Sequence, residues 1–293
     1  MKTRWCFVFL FSAAAAVAAE KNWGDTIAGA QKKLAETGFK LRKSINDKTG
    51  AGEPATFGTT RSRNDSGSTA ADIAVGFEKS LPQKDEVNHF IGPMFEYHRN
   101  DNGVAPSKEV KNYAAGVVYY WTADRSTWSE ILGASLAYKN DRIKNGEGVT
   151  ASLSGTVQNQ DIFLNHVPIA NKPGQPFPWG WFPGIAVQAE HGDDLEANKK
   201  RGEVYRLKGE FSLVARPIRE VPIQVTVGVV GWHNFHKTGP FERYHRDQKL
   251  FRWTLDYFIN PDVSVGLTHL DGANPETNYK GDRQTTFGLK VKI

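Results

Sequence analysis

Phe251-Arg252-Trp253-Thr254-Leu255-Asp256-Tyr257-Phe258-Ile259 puts an apolar side chain at every odd position, with Arg252, Thr254 and Asp256 between them. Side chains on a strand alternate between two faces, so this stretch is a strand with one apolar and one polar face. Tyr205–Leu213 (YRLKGEFSL) and Phe287–Ile293 (FGLKVKI) repeat the pattern. A helix of the same composition would need a period near 3.6, which none of the three shows.

Working outward from these segments, the same period predicts about twelve strands. They fall near 54–62, 70–81, 87–99, 111–124, 129–140 and 147–159, then near 181–191, 202–217, 221–235, 249–260, 263–273 and 284–293. Phe39–Ile45 is a further short candidate, rich in Lys and Arg. Short turns are expected at Pro82–Glu86, Ala123–Thr127, Ile218–Glu220 and Asn260–Asp262. Longer polar links are expected at Asn100–Val110, Gly192–Arg201, His236–Gln248 and Gly272–Arg283. Counted back from the C-terminus, all four short turns share one end of the sheet. Gln160–Gly180 breaks the rule, because it is long and falls at the short-turn end. It either folds into the interior or marks a miscounted strand.

The chain begins with the pattern of an export signal. Lys2 and Arg4 precede an apolar run from Trp5 to Ala18, and Val17-Ala18-Ala19 offers small residues for cleavage before Glu20. That run is too short to span a bilayer as a helix, which takes roughly 18 apolar residues, and no later stretch reaches that length. Removing residues 1–19 takes Lys2 and Arg4 away and lowers the formal charge of +5 by two. This mild basicity, with no long Lys/Arg cluster, gives no case for nucleic acid as a partner. Cys6, the single cysteine, lies within the signal, so the mature chain has no disulfide or thiol chemistry. Residues 20–53 form an N-terminal segment whose Trp23, Ile27, Ala30 and Leu34 define one face of a short helix over Trp23–Glu36. Residues 54–293 carry the strands.

Alternation alone does not say which face is inside. Three features turn the apolar face outward. A closed sheet of about twelve strands is wider than the eight-strand size that side chains fill comfortably. The polar face carries charges of both signs: Asp72, Glu78, Glu96, Lys139, Arg206, Lys208, Glu210, Arg252, Asp256 and Lys290. Aromatics gather at strand ends, with Tyr119, Trp121, Trp128, Tyr257 and Phe258 near one rim and Tyr97 and Trp232 near the other. Leu207, Leu255 and Leu289 are then expected to contact lipid. Leu255→Arg is expected to impair insertion, and Asp256→Asn to leave folding intact.

In strand spacing, loop alternation and a last strand that runs to the final residue, the chain resembles bacterial outer-membrane β-barrel proteins from about Pro54 to Ile293. The resemblance implies a closed antiparallel up-and-down transmembrane β-barrel of about twelve strands with a short N-terminal helix. It implies outer-membrane lipid and the outer-membrane assembly machinery as partners. The closing strand in that family usually ends in Phe or Trp, whereas this chain ends in Ile293, with Phe287 six residues earlier.

Three functions suit such a barrel. The first is a pore for small hydrophilic solutes, with Glu78, Glu96, Arg206, Lys208, Glu210, Arg252, Asp256 and Lys290 as the residues expected to line it and set its field. The second is a lipid-modifying enzyme of the phospholipase or lipid A deacylase type. The phospholipase resemblance requires a His-x-Ser pair, and none of the eight histidines is followed two residues later by serine. The third is a structural barrel whose outer loops bind a partner. His233, His236 and His245 cluster in the predicted loop His236–Gln248 and its edge, where imidazoles suit a transition metal. The spacing fits no metalloenzyme pattern, so the reading assigns no metal, no cofactor and no catalytic residue. Pro173–Pro183 (PGQPFPWGWFP) is barred from a central strand by its prolines and reads as a turn that anchors Trp179 and Trp181.

Overall fold

The computed structural model describes residues 32–33, 36–42, 54–62, 68–83, 87–101, 110–125, 127–141, 146–159, 161–165, 178–193, 201–218, 221–260, 262–273 and 283–292. The export signal lies outside these residues, as does most of the helix read over Trp23–Glu36. Of that helix, Lys32, Lys33 and Glu36 are helical and exposed.

Fourteen strands are described: β1 (Phe39–Arg42), β2 (Ala55–Ser62), β3 (Ser68–Phe77), β4 (Lys79–Ser80), β5 (Val87–Asp101), β6 (Val110–Asp124), β7 (Ser129–Asp141), β8 (Gly146–Gln158), β9 (Trp179–Asp193), β10 (Arg201–Ala215), β11 (Ile223–Lys237), β12 (Asp247–Asn260), β13 (Val263–Gly272) and β14 (Gln284–Val291). Each strand from β5 to β14 pairs antiparallel with the next. The ring closes through β14–β2, β2–β3 and β3–β5. Twelve strands therefore form a closed barrel, and β1 and β4 are short additions to it. Closure of the ring leaves none of its twelve strands as an open edge.

The twelve expected strands match the ring one for one. Phe39–Ile45 is strand over Phe39–Arg42, where it continues the line of β2 along the edge of β3. Among the described residues, no helix is long and apolar enough to cross a membrane, which does not bear on crossing by strands.

Two irregularities have local causes. Between Gly76↔Met94 and Lys79↔Ile91 the ladder of β3 and β4 with β5 is interrupted. Pro93 occupies the gap and has no N–H to give. The Glu78 N–H turns instead to the Gly38 carbonyl at 2.8 Å. The Phe77 carbonyl closes on Gly92, where a Cβ would stand 1.5 Å away. The second irregularity is a bulge in β11. Tyr205 pairs with His236, yet Arg206 pairs with Asn234, so Phe235 is the extra residue.

Pro183 corrects the expectation for Pro173–Pro183, because it lies inside β9 with Trp179 and Trp181. The β8–β9 ladder ends at Gly155↔Ile185, so Pro183 falls just past it. Gln160–Gly180 does not mark a miscounted strand. Its described part turns back under the barrel end, with Leu164 bridging both Asn159 and Trp181. Phe163 and Asn165 adopt φ of 57° and 49° there. The Trp181 indole donates to the Ile162 carbonyl at 2.8 Å, and Phe163 packs on Trp179 with ring centroids 5.4 Å apart.

Candidate functional site

The two faces of the wall differ in chemistry. Outward positions expose Leu132, Leu136, Leu153, Ile185, Val187, Leu207, Leu213, Phe251, Leu255 and Phe287, each by 40% or more. A soluble protein would not leave such a continuous apolar belt uncovered. The opposite positions are buried and polar: Glu96, Asn112, Arg206, Ser212, Asn234, Thr254, Asp256, Ser264, Thr286 and Lys290. In a closed cylinder that second face is the interior.

The interior charges meet in pairs across strands. Lys290 on β14 donates to Asp256 on β12 at 2.5 Å, and Thr254 adds a hydrogen bond to the same carboxylate at 3.1 Å. Arg206 on β10, 2% exposed, donates from Nη2 to Glu190 on β9 at 2.7 Å. Lys208 lies 3.7 Å from Glu210 on its own strand, and 5.9 Å from the Trp232 ring centre. Arg252 reaches Ser212 at 3.4 Å. Glu96 lies 3.4 Å from His98, whose other ring nitrogen lies 3.0 Å from Asp72. Glu78 is partly buried at the β3–β4 break. The eight expected residues thus do not converge on one point. They are spread around the wall, and most are tied to a neighbour of opposite charge or to a polar side chain.

Register decides which residues join them. Arg206 sits beside Gln188 and Asn234, and Lys208 sits beside Trp232, which in turn sits beside Gln248. Glu190, His98, Asn234 and Gln248 were missed from the expected set. Even-number parity on β5, β9, β11 and β12 was the signal that could have found them. Two apolar patches also line the interior: Met94, Val118, Tyr120 and their neighbours on one side, and Val230, Trp232 and Leu250 on the other. Tyr120 lies against Gly133, where a Cβ would come within 3.2 Å of its ring.

Trp232 corrects the rim assignment, being 2% exposed on the inner face. Its partner Lys208 points inward, and residues paired across a ladder share a face. Phe258 is likewise inward, opposite Ser264. Tyr119, Trp128 and Tyr257 do sit outside.

At the end of the barrel away from the C-terminus, the link 238–246 folds back onto the wall. Gly239–Arg243 forms a 3-10 turn in which Phe241 is 4% exposed. Asn234 donates to the His245 carbonyl at 2.6 Å, and Lys237 to the Tyr244 carbonyl at 2.6 Å. Thr238 and Glu203 exchange two hydrogen bonds at 2.9 Å. This geometry also corrects the histidine cluster. His233 and His236 are β11 residues, not loop residues, and they pair on the outer face with Asp247 at 2.7 Å and Glu203 at 3.4 Å. Among the described residues, no group of three or more His, Cys, Asp or Glu side chains could hold a metal ion.

No family model matches the chain. No curated protein sequence matches it either. Solved structures similar to it are bacterial outer-membrane β-barrels. An outer-membrane channel from Pseudomonas putida F1 is 10% identical, over 87% of this chain and 94% of that one, with a TM-score of 0.46. The NanC porin is 10% identical, over 82% and 98%, with a TM-score of 0.40. The transport unit of the autotransporter AIDA-I from Escherichia coli is 14% identical, over 87% and 90%, with a TM-score of 0.43. By its own strand pairing and burial the chain is a closed antiparallel barrel of twelve strands, apolar outside and charged within.

Proposed function

We propose that the chain is a pore of a Gram-negative outer membrane, passing small hydrophilic solutes along a lumen of mixed charge. The observation that carries this reading is the inversion of the wall. Charged side chains such as Asp256, Lys290, Arg206 and Glu96 line the inside, while leucine, valine and phenylalanine face out. Burying charges inside a barrel requires partners or water, and a lumen open to water serves transport. Glu78, Glu96, Arg206, Lys208, Glu210, Arg252, Asp256 and Lys290 set the field that solutes meet. Because most of these charges are paired, the pore discriminates weakly between cations and anions. Outer-membrane lipid covers the apolar belt, and the outer-membrane assembly machinery inserts the barrel. The refolded protein, added to a planar bilayer, is expected to give stepwise currents. Absence of current at every voltage overturns the reading.

A second reading, a lipid-modifying enzyme, draws on one pair. His269 Nδ1 lies 2.9 Å from Thr285 Oγ1 on the outward face, a base within reach of a hydroxyl. Release of fatty acid from phospholipid vesicles, abolished by Thr285→Val, would favour it. Intact lipid after prolonged incubation removes it.

A further inference from the structure

The outer face of β5 and β6 carries two cations directly opposite each other. Arg99 pairs with Lys111, in a ladder that runs without a register shift from Val87↔Ala123 to Asn100↔Val110. Their neighbours on the two strands, His98 and Asn112, belong to the interior. His98 contacts Asp72 and Glu96 there, and Asn112 is buried. Side chains alternate along a strand, so Arg99 and Lys111 face out. Arg99 is exposed at this position and Lys111 is partly exposed. Like charges directly opposite on one face destabilise a ladder, and an anion shared between them removes that penalty.

Three levels stack on this face. The lowest belongs to the apolar belt, where Phe95, Val117 and Leu136 are exposed. The next holds Tyr97 and Tyr113, ladder partners with ring centroids 5.0 Å apart. Phenol rings suit the edge of a bilayer, because they join an apolar body to a polar tip. Arg99 and Lys111 form the third level, at the next outward positions along both strands. These levels rise toward the link 102–109, at the same end as the links 194–200, 238–246 and 273–283. The links 125–128 and 261–262 lie at the other end, together with the longer 159–178. Barrels of outer membranes turn their long links to the outside.

The occupant follows from the order of these levels and from charge. Apolar side chains, then phenols, then cations match acyl chains, then sugar, then phosphate. Guanidinium and ammonium groups both bind phosphate, the first by a fork of N–H donors and the second as a point charge. Glu147, two strands along from Lys111, is engaged by the Tyr138 hydroxyl, which donates to it at 2.6 Å. We propose that the outer face of β5 and β6 is a docking surface for a phosphorylated glycolipid of the outer leaflet, lipid A, with Arg99 and Lys111 holding one phosphate between them. The surface requires the barrel to sit in an outer membrane. It does not require the barrel to conduct.

The test titrates the refolded full chain in detergent with diphosphoryl lipid A and reads the complex by native mass spectrometry. Dephosphorylated lipid A and phosphatidylglycerol are the comparators. Saturable binding of diphosphoryl lipid A is expected, and weaker binding of both comparators. Lys111→Gln and Arg99→Gln are each expected to weaken it about tenfold. Lys249→Gln serves as the control. Lys249 is an exposed, outward lysine at the same end of β12, on the far side of the ring, and its loss is expected to leave the affinity unchanged. If Arg99→Gln fails to refold, Lys111→Gln decides. A second readout separates docking from a structural role. In phosphatidylcholine vesicles Lys111→Gln is expected to keep or raise resistance to urea, because it relieves the repulsion, and with lipid A present to lower it relative to the parent chain. Four results overturn the surface: no saturable binding; equal binding of phosphatidylglycerol or of dephosphorylated lipid A; a loss with Lys249→Gln as large as with Lys111→Gln; or Lys111→Gln destabilising the barrel equally with and without lipid A.

Discussion

Lys290 and Asp256 belong to strands that are not neighbours, and they meet directly over Gly266 of the strand between them. Asp256 pairs with Gly266 in the β12–β13 ladder, and a Cβ on Gly266 would stand 1.9 Å from the Asp256 Oδ1 that Lys290 holds. The glycine is what allows the carboxylate to lean across β13. Both charged side chains are buried.

Gly266→Val is therefore expected to break this pair without touching either charge. Lys290→Met should leave Asp256 without its cation and cost about 3–5 kcal/mol, the range for breaking a buried pair from one side. The double change Asp256→Leu with Lys290→Met should recover most of that loss. Urea unfolding in lipid vesicles measures all three, and a double variant as unstable as Lys290→Met would contradict the pairing argument. Asp256→Asn, expected from the sequence to leave folding intact, is revised to a measurable loss, because the carboxylate has a partner that sequence did not reveal.

Leu255 is the outward neighbour of Asp256, 46% exposed in the belt. Leu255→Arg should destabilise the inserted barrel by about 2–4 kcal/mol, the cost of an arginine near a bilayer midplane. Folding yield into vesicles is the readout. Normal yield would place Leu255 away from lipid.

Lys237 ties the link 238–246 to the wall through the Tyr244 and Glu242 carbonyls, at 2.6 and 3.3 Å. Lys237→Met should free this turn while keeping the barrel. Trypsin cleavage after Arg243 or Arg246 should then speed up several-fold, since a local opening costs less than unfolding the barrel. An unchanged cleavage rate would show that Asn234 and Phe241 hold the turn without it.

At the opposite end, Asn165 donates to Thr156 Oγ1 at 2.5 Å and to the Val157 carbonyl at 2.6 Å, with a positive φ that asparagine tolerates well. Asn165→Leu loses both bonds and strains the backbone. A loss of about 2 kcal/mol is expected from these terms together. Unfolding by urea, followed through the fluorescence of Trp179 and Trp181, checks it.

Much of this architecture was legible from period-two alternation, and the reason is physical. A strand in such a wall meets lipid on one side and a polar interior on the other, so its chemistry is written residue by residue along the chain. Arg252, Thr254 and Asp256 against Phe251, Trp253 and Leu255 carry it openly. Trp232 and Phe258 were misplaced because aromatic residues suit a rim as well as an interior; their even parity points inward, and their ladder partners Lys208 and Ser264 agree. His233 and His236 looked like loop residues because β11 runs further than its apolar pattern.

By itself, then, the sequence determined the number of strands and their order, through local alternation and turn chemistry, and it determined the direction of their apolar faces through the charges between them and the width of a twelve-strand closure. Tertiary structure alone decided which charges meet. Asp256 reaches Lys290 only because Gly266 between them has no side chain. Arg206 finds Glu190 only through the β9–β10 register. The bulge at Phe235 shifts the phase of β11, so that Lys237, odd-numbered like the outward residues before it, pairs with inward Val204 and holds the turn above the lumen. Such meetings depend on register, bulges and closure across many residues, which no window of alternation contains.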